Sequence, residues 1–357
     1  MNPGIMPSPS GYASTGISKL ILSSRIVLRA GDIIPIKAGS FYDIIVIGAG
    51  ASGGAASSSG RACGGGGPAL SRDWGKALTD FNLTVVIGLG GLAVSAATGT
   101  AVSGNPGGLT TVRGVNINLN VTGALPGQAS LSAKAIYGGL GGIASGGKIN
   151  RNGSRGGNIT NLSSGQKATG GGAINLFGKL ADDVSRGGDI TNALTGGQIT
   201  GGGGVGGRGG DNPTSNNATA GGGAGGPASD GAILQGGRDI NGAYTAPNTK
   251  PSPSSIIDLL TYWPSLDCTA SGAVTGDALE GAGSAGLHAS ASSSIYGFKA
   301  AFGGGGGTCN SSTGHVRGGA VAIGGGSGGA VSMVNYIATS DKAGDGVVIL
   351  CLFQEQL

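Results

Sequence analysis

The stretch SGGKINRNGSRGGNITNLSSGQKATGGGAINLFGKLADDVSRGGDITNALTGGQIT, residues 145–200, decides how this chain is read. One unit, Gly-X-Ile-(Asn/Thr), occurs in it five times. The copies are Gly147-Lys148-Ile149-Asn150, Gly157-Asn158-Ile159-Thr160, Gly172-Ala173-Ile174-Asn175, Gly188-Asp189-Ile190-Thr191 and Gly197-Gln198-Ile199-Thr200. Each is preceded by another glycine, and successive copies start 10, 15, 16 and 9 residues apart. Each unit reads as a minimal strand with one inward isoleucine. The double glycine lets the backbone turn tightly or approach a neighbour. The irregular spacing favours hairpins or ladders on a common core over a strict solenoid.

Longer β-type runs flank this repeat. Residues 17–36, ISKLILSSRIVLRAGDIIPI, hold two runs around Ser23-Ser24 and a third after Gly31-Asp32. Tyr42–Ile47 (YDIIVI) and Asn82–Ile87 (NLTVVI) are buried-strand patterns that stop at Gly48 and Gly88. In Val112–Val121 (VRGVNINLNV), Val115, Ile117, Leu119 and Val121 alternate with asparagines, the pattern of one half-buried strand. Val347–Phe353 (VVILCLF) reads as a buried final strand. Ser255–Trp263 (SIIDLLTYW) reads as one short helix, capped by Ser254 or Ser255 and stopped by Pro264. The expected fold is mostly β, with short-stranded sheets or a sandwich, glycine-rich packed segments and that helix. The expected divisions are 1–40, 41–144, 145–248, 249–300 and 301–357.

Glycine supplies 81 of 357 residues, about three times the usual ~7%. Collagen is excluded, because no Gly-X-Y register is sustained. Disorder is disfavoured, because net charge is only +4 and apolar runs recur. The 21 basic residues are scattered singly, with no stripe to suit nucleic acid. No apolar run reaches 18 residues, and residues 1–18 lack a signal-peptide pattern. Synthesis and assembly in a cytoplasm are expected. Cys63, Cys268, Cys309 and Cys351 have no CxxC spacing, and the histidines are His288 and His315. Free thiols and no metal site are the expectation.

One motif points to an enzyme. Gly48-Ala49-Gly50-Ala51-Ser52-Gly53 follows a strand and matches G-x-G-x-x-G, the opening of flavin- and NAD-binding oxidoreductases. That chemistry needs a helix whose N-terminus faces the pyrophosphate. The following residues, Gly54 to Gly67, have no amphipathic period and end in four glycines. The expectation is no cofactor, no catalytic residues and no enzymatic activity.

The order of these features resembles the glycine-rich tail proteins of tailed bacteriophages. IIVIGAGASGG, then LTVVIGLGG, then Gly-Gly-Asp-Ile-Thr repeats, glycine tracts and a final Gly-Asp-Gly-Val-Val-Ile strand carry the resemblance, across residues 33–353. It implies a structural virion protein, a tail fibre or tail-tip adhesin that attaches to the host surface. It also implies a homo-oligomer, most simply a trimer, next to other tail proteins and a host glycan or outer-membrane protein. In some related adhesins glycine tracts pack as polyglycine II helices, with the loops between them contacting the host. Here the tracts would be Gly201–Gly210, Gly221–Gly226, Gly303–Gly307 and Gly324–Gly329. The contact segments would be Asp211–Ala220, Ala246–Trp263 and Cys309–Arg317, with Asn212, Asn216, Asn217, Tyr262, Trp263, His315 and Arg317 as candidates. The alternative is a virion protein without a receptor role, such as a head fibre, capsid decoration or tail-assembly component.

Overall fold

The computed structural model describes residues 19–58, 60–174, 185–191, 197–204, 207–211, 234–235, 283–284, 286–289, 294–297, 299–300, 303–310, 314–321, 323–333 and 336–356. The expected helix at 255–263 lies outside them. The described residues are mostly β, in several small sheets, with no helix among them.

Two five-stranded sheets form one end of the described structure, the base. In the first, the strands run in the order Lys19–Leu28, Val347–Gln356, Phe41–Ile47, Leu70–Lys76 and Ile149–Arg151. In the second the order is Ala144–Ser145, Ile117–Val121, Thr110–Gly114, Phe81–Val86 and Ile33–Ile36. Leu28, Ile44, Val46, Val348 and Leu350 from the first sheet meet Ile36, Leu83, Val85, Val112, Leu119 and Val121 from the second. The two runs around Ser23-Ser24 are one strand with a register shift between Leu22 and Ser24. The expected single strand at 112–121 is instead a hairpin. Val115 and Asn116 make the turn between the paired Gly114 and Ile117, and Asn116 takes a φ of 59°, which asparagine tolerates better than most residues. Ile117, Leu119 and Val121 are buried as the alternation implied, but Val115 sits on the turn and is exposed.

Above the base the chain does something a sheet cannot. Residues 63–67 show it. Cys63 N and Gly66 N donate to Gln128 O and Leu125 O. Cys63 O and Gly66 O accept from Gly54 N and Ala51 N, and Gly64 O and Gly67 O accept from Gly139 N and Gly142 N. Gly65 N donates to Ser327 O, Gly65 O accepts from Gly172 N, and Gly67 N donates to Ser154 O. A strand hydrogen-bonds to two neighbours; this segment bonds to six. The partner segment recurs every third residue, the period of an extended left-handed helix with three residues per turn. Such a helix has no internal hydrogen bonds, so once buried it must pair with its neighbours. This is packing of the polyglycine II kind.

The same threefold step recurs throughout. Gly104 N and Gly107 N donate to Gly127 O and Ala124 O, and Gly153 N and Gly156 N donate to Gly142 O and Gly139 O. Gly304 N and Gly307 N donate to Gly203 O and Thr200 O. The helices form rows. The outer row runs 88–92, 104–108, 123–127, 138–142, 153–157, 185–188 and 207–210; the middle row 49–54, 63–67, 169–173 and 200–203; the third 343–346, 324–329, 303–307 and 283–284.

Glycine is needed here for space. A Cβ built on Gly65 would lie 1.9 Å from Ala51 O, and one on Gly66 would lie 2.0 Å from Leu140 O. Among the described glycines, positive φ is confined to Gly31, Gly39, Gly99, Gly146, Gly165 and Gly324.

Candidate functional site

The chain climbs from the base through one glycine helix, reverses, and descends through another. The reversals fall between 56 and 61, 96 and 101, 130 and 136, 160 and 167, 310 and 316, and 331 and 338, so they gather at the end opposite the base. We call this end the tip. Just below it, two-residue ladders tie the helices together. Ala55–Ala56 pairs with Ala101–Val102 and Ala330–Val331, and Val316–Arg317 pairs with Ile295–Tyr296 and Ala338–Thr339. Small side chains fill these layers. Ala56, Ala62, Ala168, Ile199, Cys309 and Val331 form one cluster, and Cys63, Ile136, Ile159 and Ile190 another. Of the five repeat isoleucines, Ile159, Ile174, Ile190 and Ile199 are buried, and Ile149 is half-buried in the base sheet.

The reversals are pinned by polar contacts. Arg61, itself buried, donates to Lys134 O at 2.7 Å, to Asn161 O at 2.6 Å and to Ser163 O. Lys167 pairs in register with Arg61 on the neighbouring parallel strand and reaches Ser164 O at 3.5 Å. Burial, and then the charge of Arg61, push the Lys167 ammonium down to about 8. Ser57 Oγ donates to Ala97 O at 2.8 Å and joins two further reversals.

Of the expected contact residues, the structure places His315 and Arg317. Asn212, Asn216, Asn217, Tyr262 and Trp263 lie outside the described residues. His315 is exposed at the tip. Its Nδ1 accepts from Ile337 N at 3.2 Å, and its ring meets Tyr336 edge-on at 5.9 Å. Arg317 is exposed too but engaged, with Nε 3.0 Å from Asp341 Oδ2 and a second nitrogen 3.2 Å from Oδ1. A solvated pair of this kind contributes about 0–1 kcal/mol. The neighbours of His315 extend the site beyond the residues that stood out in the sequence. Tyr296 is 65% exposed beside Arg317 in the parallel ladder, and Met333 and Ile337 are 38% and 44% exposed on the next reversal. Together they form an aromatic and apolar patch on a rigid support. A β-type Ser-Ile-Tyr run before Gly297 was the only signal for Tyr296.

The dinucleotide-like residues sit inside the glycine stack. Gly50 N donates to Gly344 O, Ala51 N to Gly66 O, Ser52 N to Asn105 O and Gly53 N to Ser327 Oγ. The amides that a pyrophosphate would need are thus committed to the stack, and the short strand Ala55–Ala56 follows them in place of a helix. The described thiols Cys63, Cys309 and Cys351 are free and buried, and Cys268 lies outside the described residues. Among the described residues, no group of acidic, histidine and cysteine side chains is arranged to hold a metal ion, and no helix is long and apolar enough to cross a membrane. No protein-family model matches the chain, and no curated protein matches its sequence.

Proposed function

We propose that this protein is a structural component of a tailed-phage virion, a tail fibre or tail-tip protein that attaches to the host surface through its tip. The observation that carries this reading is the division of labour along the stack. A β-sandwich closes one end, glycine helices bonded to one another on several sides form the shaft, and the reversals with Tyr296, His315, Met333, Tyr336 and Ile337 stand at the other. Aromatic and imidazole rings of this kind stack on sugars and pack against apolar surface. The exposed Met333 adds a flexible apolar contact. Loops on a rigid scaffold are the usual place for recognition. The partner is a host glycan or outer-membrane protein, and the protein acts without a cofactor. The test is competition: purified protein should bind host cells and block phage adsorption. Binding without any effect on adsorption would remove the receptor role and leave a purely structural virion component.

A further inference from the structure

One side of the glycine stack, away from the tip, carries an exposed apolar surface. In the outer row, burial follows a three-residue period. Along 121–130, Val121, Ala124, Gly127 and Ser130 are buried while Thr122, Leu125 and Gln128 are exposed. The same step exposes Val86, Leu89 and Leu92 on one neighbour, Pro106 and Leu109 on the next, and Tyr137, Leu140 and Ile143 beyond. These helices are adjacent, because Gly108 N donates to Leu89 O, Gly107 N to Ala124 O and Leu125 N to Leu140 O. The exposed leucines and Ile143 therefore lie side by side, each between 49% and 66% exposed. Such a face covers several hundred Å², the upper end of what monomers leave open.

We propose that this leucine face is the interface between two copies of the chain, related by a twofold axis that lies in the plane of the face and runs between two of its helices. Three observations select a second copy. First, the helices of the face alternate in direction with their neighbours, as the antiparallel bonds from Gly104 and Gly107 to Gly127 and Ala124, and from Gly153 and Gly156 to Gly142 and Gly139, show. A half-turn therefore lays an ascending helix over a descending one with the same spacing of large side chains, about 9 Å per three residues. Rows of leucine then fit the glycine and alanine grooves between rows. Second, residues 81–147 contain only two charged side chains, Arg113 in the base sheet and Lys134 at the tip reversals, so the face meets its own copy without like-charge repulsion. The depletion of charge also matches the core of a protein interface. Third, six large aliphatic side chains at half to two-thirds exposure give a face of several hundred Å², the scale of the ~800 Å² per partner of a stable complex. A trimer would need two different patches meeting head to tail, whereas one self-complementary face assigns a pair.

The test is sedimentation of the full chain across a concentration series. Wild type should show a monomer–dimer equilibrium. Leu125→Glu with Leu140→Glu should weaken association by roughly a hundredfold or more, since buried uncompensated charge is strongly unfavourable, while the melting temperature measured at monomer concentrations stays unchanged. Leu162→Glu, an equally exposed leucine beside the tip, should leave association as it was. A wild type that stays monomeric at all concentrations, a trimer, or association lost in Leu162→Glu but kept in the face variant would each overturn the proposal.

Discussion

An alanine at Gly66 would put its methyl carbon 2.0 Å from Leu140 O, a backbone atom that cannot rotate away. Relief requires two helices to separate and their hydrogen bonds to stretch. Gly66→Ala should therefore cost about 3–5 kcal/mol, in the range that marks a structural clash. Gly39, with φ +86° and open space around it, should lose only about 1 kcal/mol on the same change. Urea unfolding of the two variants checks the contrast, and equal losses would contradict the packing role of glycine. Lys167 gives a second residue-scale prediction. Its ammonium is held down to about 8 from 10.5. Below pH 8 both folded and unfolded chains hold the proton and the penalty is whole. Between the two values the unfolded chain holds more protons, so this group raises stability as pH rises. Burial pushes Cys63 from 9.0 up to about 12, and raises Cys309 and Cys351 as well, so above pH 9 the thiols act in the opposite sense. A rise confined to about pH 8–9 is expected, and Lys167→Met should remove it. Neither buried cation could be read in advance, because Arg61 and Lys167 sit in plain Gly/Ser/Ala surroundings.

At the scale of elements, the repeated Ser-Arg-Gly-Gly segments build a ladder. Arg155 makes a two-pronged pair with Asp189 at 2.9 and 3.0 Å. Arg186 lies 2.8 Å from Asp189 and 3.3 Å from Asp211. Asp189 also accepts Asn158 N at 2.7 Å. Burial alone would raise the Asp189 carboxyl. The Arg155 hydrogen bonds, the Arg186 and Arg155 charges and the Asn158 amide outweigh it, and its pKa ends below the ordinary 3.8. Its stabilisation is present above pH 3.8 and is lost as pH falls toward the lowered value. Asp189→Ala removes the carboxylate that Arg155 and Arg186 share, two cations with little exposure, and should cost about 3–5 kcal/mol, read as a lower denaturation midpoint at pH 7. The repeat isoleucines were legible because one apolar residue between glycines has one place to go. The strands 41–47, 81–86 and 347–356 were legible as apolar runs with glycine stops. The glycine helices were not. Their threefold period spans only five or so residues at a time, as in Gly88-Leu89-Gly90-Gly91-Leu92, and it emerges only when neighbours are known. The turn at Val115–Asn116 was hidden for a related reason: the alternation continues through it.

At the scale of the molecule, the stack trades side-chain packing for backbone hydrogen bonds between helices. Its amides are paired in several directions, so local opening requires several segments to part at once. Hydrogen exchange should be slowest at Gly64–Gly67 and Gly170–Gly172, and fastest at the tip reversals and at the exposed turn around Leu78. Rapid exchange throughout 63–67 would contradict the lattice. The tip was only partly legible, since His315 and Arg317 stood out as polar residues between glycine tracts while Tyr296, Met333 and Ile337 join them only through the fold. Attachment through the tip is tested most directly by cell binding of three purified proteins: wild type, the tip variant Tyr296→Ala with Ile337→Asp, and the base variant Leu78→Asp. Wild type and the base variant should bind host cells alike, and the tip variant should bind at least roughly tenfold more weakly with an unchanged melting temperature. Equal binding by the tip variant and wild type, or no binding by wild type, would contradict it.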